Sequence, residues 1–275
     1  MKLTIWGSRG SIASLGPETA RYGGNTACIE VDGDPRCALV LDAGTGMRLA
    51  GLALAGDGRP VHVLLTHLHM DHIQGLGFFR PLFEPGREIH IWGPPSTTLD
   101  LRTRLTRYLS PPLFPVRIRE LGARVELHDV PARPWRIGEF GVTADSVIHP
   151  GPTAGYRITL GDVAIAYLPD HEPALGGLSG QPDWTSGHDL MRGVDVLLHD
   201  AQYTSDEYRQ RVGWGHSSVE HAVAVADLAD ADRLVMIHHE PDHSDAIIDG
   251  MLTEARQMRR GGDVMTAGDG LILEV

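Results

Sequence analysis

The sequence predicts an α/β fold in which β-sheets are covered by helices on their outer faces. Three observations support it: short apolar runs recur between turn residues, helical patterns are fewer, and both kinds come in mixed order. The 275 residues exceed the usual domain size, but large layered α/β folds reach this length as one unit. We therefore expect a single domain spanning 1–275.

Strands are expected where apolar runs are bounded by turn residues, as at the opening segment 1–6. This pattern marks each of the short segments that follow as a strand. The predicted strands cover 26–31, 38–41, 61–65, 88–91, 142–148, 155–160, 163–168, 194–198, 234–237 and 271–275.

Four segments carry helical patterns. The helix predicted at 217–229 begins behind Ser217 and Glu220, which form the sequence signature of a capping box. The helix predicted at 244–259 shows one apolar stripe. Further helices are predicted at 46–55 and 97–109, the second ending before a pair of prolines.

A dense polar motif follows the predicted strand 61–65 directly. His67 and His69 are two residues apart, so in an extended segment they point to the same side and can bind one ion. Asp71 and His72 follow a turn and can face a second ion about 3.5–4 Å away. Histidines satisfied in a core or at the surface are the alternative, but so many polar groups beside an apolar strand would be costly to bury without a metal.

Four more polar residues stand where separate apolar runs stop: His149, Asp170, Asp200 and His238. Strand ends are where active-site groups usually lie on a rigid scaffold. Any one of them alone is more often a strand terminator or a cap. Together they indicate a functional set.

Composition limits the classes of partner. The formal net charge of −12 and the pI of about 5.6 give no basic surface for long nucleic acids or anionic membranes. No stretch is long and apolar enough to suggest a membrane span, and the strand-like pattern of 1–6 leads us to expect no signal peptide. Cys28 and Cys37 are read as thiols of a reducing cytosol, so a cytoplasmic protein is expected, although one bridge between them stays open.

The order of these residues resembles the metallo-β-lactamase superfamily: His-x-His-x-Asp-His, a histidine before Pro150, then Asp170 and a late His238. Four segments are similar to the ribonuclease Z and cyclic-nucleotide phosphodiesterase branch of that superfamily. They are 7–11 (Gly-Ser-Arg-Gly-Ser), 22–26 (Tyr-Gly-Gly-Asn-Thr), 198–201 (Leu-His-Asp-Ala) and 215–218 (Gly-His-Ser-Ser).

The resemblance implies a four-layer αββα sandwich of two ββα halves with the metal site at one edge. It also implies two divalent ions and a ligand set. The first ion would be held by His67, His69 and His149, the second by Asp71, His72 and His238, with Asp170 bridging both. Zinc is the expected ion, and manganese or iron are alternatives because His/Asp sets suit all three.

The last ligand and the other histidines need separate assignments. His238 is preferred over His239 because it comes first after the apolar run and strand neighbours face opposite ways. His239 and His243 are expected to support the ligands or to lie at the surface. Four more histidines are expected to be ordinary solvated residues: His171, His188, His199 and His221.

A hydrolytic mechanism follows from the implied site. Two ions lower the pKa of a shared water, so a hydroxide forms near neutral pH and attacks the substrate. His216 would be the general acid, and Asp200 would stabilise its protonated form through the other ring nitrogen. Asp71 is also assigned to the catalytic set. The alternative for His216 is an ordinary residue ahead of a helix.

The leading hypothesis is a phosphodiesterase for a small phosphodiester such as a cyclic nucleotide. The alternatives are a ribonuclease Z-like RNA endonuclease, a lactone or thioester hydrolase, and a non-enzymatic metal-stabilised binding module. Hydrolysis of a lactone would give Asp200 and His216 no obvious role, which argues against the lactone hydrolase. The sequence has no Lys/Arg-rich, Gly-rich arm for tRNA, which argues against the ribonuclease. Segment 94–119, with five arginines, either covers the cleft or is a solvated helix. A homodimer is left open.

Overall fold

Two seven-stranded β-sheets pack face to face in the computed structural model, which describes residues 1–175, 177–178 and 180–275. The strands are β1 (Lys2–Gly7), β2 (Cys28–Asp32), β3 (Ala38–Leu41), β4 (Val61–Leu64), β5 (Glu88–Gly93), β6 (Arg124–Asp129), β7 (Trp135–Ile137), β8 (Phe140–Ser146), β9 (Ala154–Leu160), β10 (Val163–Leu168), β11 (Val196–Asp200), β12 (Arg233–Ile237), β13 (Asp263–Thr266) and β14 (Ile272–Glu274). The first sheet has the order β14-β1-β2-β3-β4-β5-β6, and the second has the order β13-β12-β11-β10-β9-β8-β7.

An apolar layer fills the space between the sheets. Leu39 and Leu41 from the first sheet share one buried cluster with Ile158, Ile165 and Leu198 from the second. Successive side chains of a strand alternate between its faces, so the same strands present a second apolar row outward. Burying a side chain of this size contributes roughly 1.5–3 kcal/mol, and this layer therefore fixes how the sheets face each other.

Helices cover the outer faces of both sheets. In the described part of the chain they are α1 (Met47–Ala53), α2 (Met70–Ile73), α3 (Leu101–Leu105), α4 (His188–Met191), α5 (Ser205–Tyr208), α6 (Val219–Leu228) and α7 (Asp245–Met258). Helix α1 packs on β1 and β2, whereas α6 and α7 pack on β11, β12 and β13. The layers run helix, sheet, sheet, helix, and the predicted αββα sandwich is confirmed.

The capping box predicted for the helix at 217–229 is wrong. Ser218 is the N-cap of α6, and its hydroxyl accepts a hydrogen bond from the His221 amide at 3.2 Å. The Ser217 hydroxyl instead donates to the His171 carbonyl at 2.6 Å. Two adjacent serines offer two possible caps, and this tertiary contact decides between them. Helix α7 agrees with its prediction within a residue at each end, while α1 and α3 are shorter than the predicted 46–55 and 97–109.

Three strands have no counterpart among the predicted ones: β6, β7 and β13. All three lie at the outer end of a sheet, where one side of the strand has no neighbour. Such strands carry exposed, polar side chains, and β6 reads Arg-Val-Glu-Leu-His-Asp. Their apolar signal is therefore too weak for recognition by hydrophobicity alone.

Parallel strand pairs bring several chain segments to one edge of the sandwich. Strand β4 is parallel to β3 and β5, and β10, β11 and β12 are parallel to one another. Their carboxyl ends run into the segments that carry the polar motif residues, so the fold gathers those residues in space.

Two predictions about composition can be compared with the structure. Cys28 and Cys37 are both buried free thiols, as expected. Among the described residues no helix combines the length and apolarity needed to cross a bilayer.

Candidate metal centre

Three histidines form the first group of the site. His67 and His69 follow β4, and His149 comes from the segment after β8. Each offers one ring nitrogen, and these atoms lie within 4.8 Å of one another. His69 Nδ1 and His149 Nε2 are 3.2 Å apart. The structure brings together all three residues that the resemblance implied for the first ion.

A second, fully buried group lies beside the first and consists of Asp71, His72, Asp170 and His238. His72 Nε2 lies 3.2 Å from Asp71 Oδ2 and 3.0 Å from Asp170 Oδ2. His238 Nε2 lies 3.3 Å from Asp71 Oδ2. These are the four residues that the resemblance implied around the second ion.

Asp170 is the carboxylate that faces both groups. Its Oδ1 lies 3.7 Å from His67 Nε2, 3.7 Å from His149 Nε2 and 3.3 Å from His238 Nε2, while its Oδ2 lies 3.0 Å from His72 Nε2. The carboxylate therefore lies between the two groups and contacts donors of both. This is the arrangement that a carboxylate bridging two ions requires.

The unpaired atoms of the site test whether a metal fits. Within the described chain, His67 Nε2, His72 Nε2 and Asp170 Oδ2 are buried and make no hydrogen bond of good geometry. An unsatisfied buried polar atom costs free energy, and such atoms are rare in folded proteins. His72 Nε2 lies 3.0 Å from Asp170 Oδ2, and His67 Nε2 lies 3.7 Å from Asp170 Oδ1. Divalent ions would satisfy them together, so the residues fit such ions.

The protonation of the imidazoles is consistent with that fit. Burial lowers the pKa of His149 to about 4, and it lowers the pKa values of His67 and His69 as well. These rings are neutral at pH 7 and keep a lone pair for a metal. Burial opposes charge on His238 too, but the charge of Asp170 raises its pKa to about 9. The second group thus favours positive charge, which a bound cation supplies.

Protein acceptors hold the other ring nitrogens of the cluster. His72 Nδ1 donates to Asp42 Oδ2 at 2.8 Å, His149 Nδ1 to the Gly215 carbonyl at 2.9 Å, and His238 Nδ1 to Gln202 Oε1 at 3.2 Å. Such contacts fix the tautomer and orientation of a ligating imidazole. The sequence analysis did not identify Asp42, although it directly follows β3, as the other polar residues of the site follow their strands.

A histidine and an aspartate form a hydrogen-bonded pair beside the cluster. His216 Nδ1 donates to Asp200 Oδ2 at 2.8 Å, and Asp200 lies at the buried end of β11. The His216 ring stacks on His238, with ring centroids 4.9 Å apart and planes 14° apart. The remaining nitrogen of His216, Nε2, is the one available to a bound molecule.

Two connected depressions open at this edge and share Ser11 and His216. The first, of about 330 Å³, is lined by residues of the cluster. The second, of about 400 Å³, is lined by Tyr203, Arg211 and Trp214 among others. The arginines of 94–119 line neither depression, and three leucines of this segment pack against the outer face of the first sheet: Leu101, Leu105 and Leu109. The interpretation of that segment as a cover for the cleft is not supported.

Several histidines outside the cluster differ from expectation. His171 and His199 are completely buried and hydrogen-bonded to each other at 2.8 Å, so the prediction that they are solvated is wrong. His239 is buried and contacts the Ala267 carbonyl at 3.0 Å, away from the cluster. His238, rather than His239, faces Asp71 and Asp170.

Two opposed ββα halves with a His/Asp cluster at one edge define a hydrolase of the metallo-β-lactamase fold. Residues 38–239 match the family model for the beta-lactamase superfamily domain, and the chain belongs to that superfamily. Membership implies divalent metal ions, and the His/Asp cluster fits them.

Individual relatives agree with this assignment. The chain is 28% identical to a ribonuclease Z of Myxococcus xanthus, with 86% of this chain and 88% of that protein covered. It is 30% identical to the uncharacterized protein Rv1339 of Mycobacterium tuberculosis, with 88% and 81% covered. The metallo-beta-lactamase fold protein YhfI from Bacillus subtilis superposes with a TM-score of 0.72 at 21% identity, over 99% of both chains.

Proposed function

We propose that the protein is a dinuclear metal-dependent phosphodiesterase that hydrolyses a small phosphodiester, such as a cyclic nucleotide. The observation that carries this proposal is the His216–Asp200 pair, which lies beside the His/Asp cluster with one ring nitrogen free. A phosphodiester needs both a site for its charged oxygens and an acid for its leaving oxygen. The cluster and the pair would provide these two functions.

The seven residues of the two groups would hold the ions. His67, His69 and His149 would hold the first and Asp71, His72 and His238 the second, with Asp170 shared. When bound, the ions supply positive charge for the phosphate oxygens and lower the pKa of water enough for it to act as nucleophile. Zinc is the ion we propose, because the donors are mainly imidazole nitrogens.

His216 would deliver the proton to the leaving oxygen. Asp200 accepts from Nδ1, so a protonated His216 presents its second N–H at Nε2. The Asp200 carboxylate also receives hydrogen bonds from the Gln202 and His171 amides at 2.9 and 3.1 Å. These contacts fix the carboxylate, and the carboxylate in turn fixes the ring. His216 thus occupies a defined position when the leaving group departs.

The second depression supports a nucleoside as the small substrate. Trp214 is 60% exposed, and Arg211 lies over the Tyr203 ring at 4.8 Å from its centroid. Aromatic faces of this kind stack on nucleobases, with a typical contribution of about 1–3 kcal/mol per base. Trp214 and Tyr203 both line the depression that also contains His216. A phosphodiester held at the cluster would place its base near them.

Net charge favours a small substrate over a long one. At −12 the protein repels an extended polyanion outside the metal centre. The buried free thiols Cys28 and Cys37 also support our proposal of a cytoplasmic enzyme, because unpaired cysteines are typical of a reducing compartment.

RNA cleavage is the second candidate function. It is favoured by the relative named ribonuclease Z and by the His/Asp pair, which would serve any phosphodiester equally well. The difference between the two candidates lies in contacts outside the cleft. An RNA endonuclease gains affinity from them and a cyclic-nucleotide enzyme does not.

The proposal is tested with zinc-reconstituted protein on a cyclic mononucleotide, bis(p-nitrophenyl) phosphate, a precursor tRNA and a lactone. We expect turnover of the first two substrates, little cleavage of the tRNA and none of the lactone. The kcat/KM values are compared at roughly 50 to 200 mM salt, since contacts with a polyanion weaken steeply over this range. Efficient, salt-sensitive tRNA cleavage would instead establish the ribonuclease.

A further inference from the structure

Three histidines from neighbouring strands gather on the inner face of the first sheet, near its free edge. His62 of β4 lies opposite His90 of β5, and His90 lies opposite Glu126 of β6. His128 lies two residues further along β6, opposite Trp92. Along β6, Glu126 and His128 alternate with Val125 and Leu127, which pack on the outer face under the helices. The register of the sheet therefore places the polar groups side by side.

Three donor atoms of this cluster have the spacing of ligands around one ion. His90 Nδ1 lies 3.0 Å from His128 Nε2 and 3.6 Å from Glu126 Oε2, and His128 Nε2 lies 3.9 Å from the same oxygen. Ligand bonds of 2.0–2.1 Å in a tetrahedral site place neighbouring donors about 3.3 Å apart. The observed separations lie on both sides of that value. Small rotations of the three side chains would bring all three donor–donor distances to about 3.3 Å.

We propose that His90, Glu126 and His128 form a further divalent-cation site, separate from the catalytic cluster, which ties the edge strand β6 to β5. Two imidazoles and one carboxylate form a donor set suited to zinc. A water would complete the tetrahedron on the exposed side, where the Glu126 side chain is 51% exposed.

Aromatic neighbours hold both imidazoles of this edge site in place. The His62 ring stacks on His90 with centroids 4.5 Å apart and planes 9° apart, and Trp92 stacks on His128 at 4.2 Å. Trp92 Nε1 donates to His62 Nδ1 at 3.3 Å. His62 is therefore a support for His90 and is not among the ligands. Because the ligand rings are already oriented, binding requires little further ordering.

The position of the site suggests its effect on the molecule. Strand β6 is the last strand of its sheet, so within the described chain β5 is the one strand that pairs with it. A cation coordinated by side chains of both strands would add a link across this pair. His62 precedes His67 by five residues, roughly 16 Å along an extended strand, so the ion would be too far away to share ligands with the catalytic cluster.

The test measures zinc content and thermal stability of the metal-loaded protein. Wild type is compared with His128→Gln, with Glu126→Gln, and with His188→Gln as a control outside both clusters. We expect wild type and His188→Gln to bind one zinc more per chain than His128→Gln. We also expect Glu126→Gln to bind that extra zinc at least tenfold more weakly. The Tm of wild type should rise with added zinc more than the Tm of His128→Gln does.

Two further comparisons keep this test independent of the catalytic site. In a His149→Ala background, which removes a ligand of the cluster, His128→Gln should still lower the zinc content by one. If His128→Gln fails to fold, the exposed Glu126→Gln gives the same comparison. Equal zinc content and equal Tm shifts in wild type and in the ligand variants would overturn the proposal, whatever the protein hydrolyses.

Discussion

Individual side chains of the metal centre are oriented before any ion binds. His72, His149 and His238 each turn one ring nitrogen toward the cluster and use the other to donate to the protein. Asp42, the acceptor of the first of these, is itself fixed by the Thr66 amide at 2.7 Å and the Tyr167 hydroxyl at 2.8 Å. A chain of buried hydrogen bonds thus sets the direction of each imidazole, which lowers the cost of ordering the site.

The general-acid assignment predicts a specific pattern in the His216→Ala variant. Metal content should stay unchanged and the variant should still fold, with a lower Tm because buried Asp200 loses a hydrogen bond. The kcat value on a cyclic nucleotide should fall roughly 10²–10⁴-fold, the usual contribution of a general acid. With a p-nitrophenolate leaving group the loss should shrink markedly, because that group departs without a proton. Steady-state kinetics on the two substrates gives the comparison. An equal loss on both would assign His216 to binding instead.

The position of Asp170 between the two groups predicts a joint effect on both ions. Asp170→Ala should lower the affinity for both, because its carboxylate lies beside donors of both groups. His149→Ala, by contrast, should weaken only the first ion. Elemental analysis during zinc titration measures the number bound in each variant. Loss of a single ion from Asp170→Ala would contradict a bridging role.

At the scale of elements, one short loop connects the His216–Asp200 pair to the second depression. The buried Glu172 carboxylate accepts from the Gly213 and Gly215 amides at 2.9 Å each, which fixes the loop on both sides of Trp214. Gly215 has a φ of +89°, and an added Cβ would come within 2.6 Å of His149 Nδ1. Only glycine fits there. The loop therefore holds Trp214 and His216 in one rigid arrangement.

This rigid loop predicts a selective effect of Trp214→Ala. Loss of the stacking face should raise KM for a cyclic nucleotide roughly 5- to 100-fold, corresponding to about 1–3 kcal/mol of base stacking. The kcat value should change little, and hydrolysis of bis(p-nitrophenyl) phosphate should change less than that of the nucleotide. Trp184→Ala is the matched control, since Trp184 is also exposed but lines neither depression. Equal effects of both tryptophan variants would exclude a base-stacking role.

The elements differ in how well their own sequence predicts them. Strands β3 and β10 occupy the predicted residues, because both are central strands whose apolar runs are continuous. Strand β11 begins two residues later than expected and includes Asp200, so this aspartate closes the strand rather than following it. Edge strands such as β6 escaped prediction because solvent, rather than the core, covers one side of them.

At the scale of the whole molecule, the metal centre joins segments from both sheets. His67 and His72 follow β4 of the first sheet, whereas Asp170 and His238 follow β10 and β12 of the second. An ion shared by these residues would bind the folded chain and not the unfolded one. Such binding stabilises the fold by mass action.

Removing the metal should therefore lower the stability of the whole protein. Treatment with a strong chelator should lower Tm by roughly 5–10 °C, because an ion at a hundred times its Kd contributes about 2.7 kcal/mol. Added zinc should restore the original value. Scanning calorimetry measures the change, and chelation should lower the Tm of His216→Ala, which keeps all ligands, by as much as it lowers the Tm of wild type. A Tm that chelation leaves unchanged would contradict a metal centre connecting the two halves.

The sequence by itself determined the layered α/β class, the family resemblance and the residues proposed for the site. It could do so because strand alternation, strand ends and the spacing from His67 to His72 are local properties of the chain. Only the tertiary structure decided that Ser217 turns from the α6 cap to the His171 carbonyl, and that Asp42 and Glu172 support the site. These contacts join residues that are neighbours only after the strands have paired, and a residue's own surroundings in sequence carry no record of such pairing.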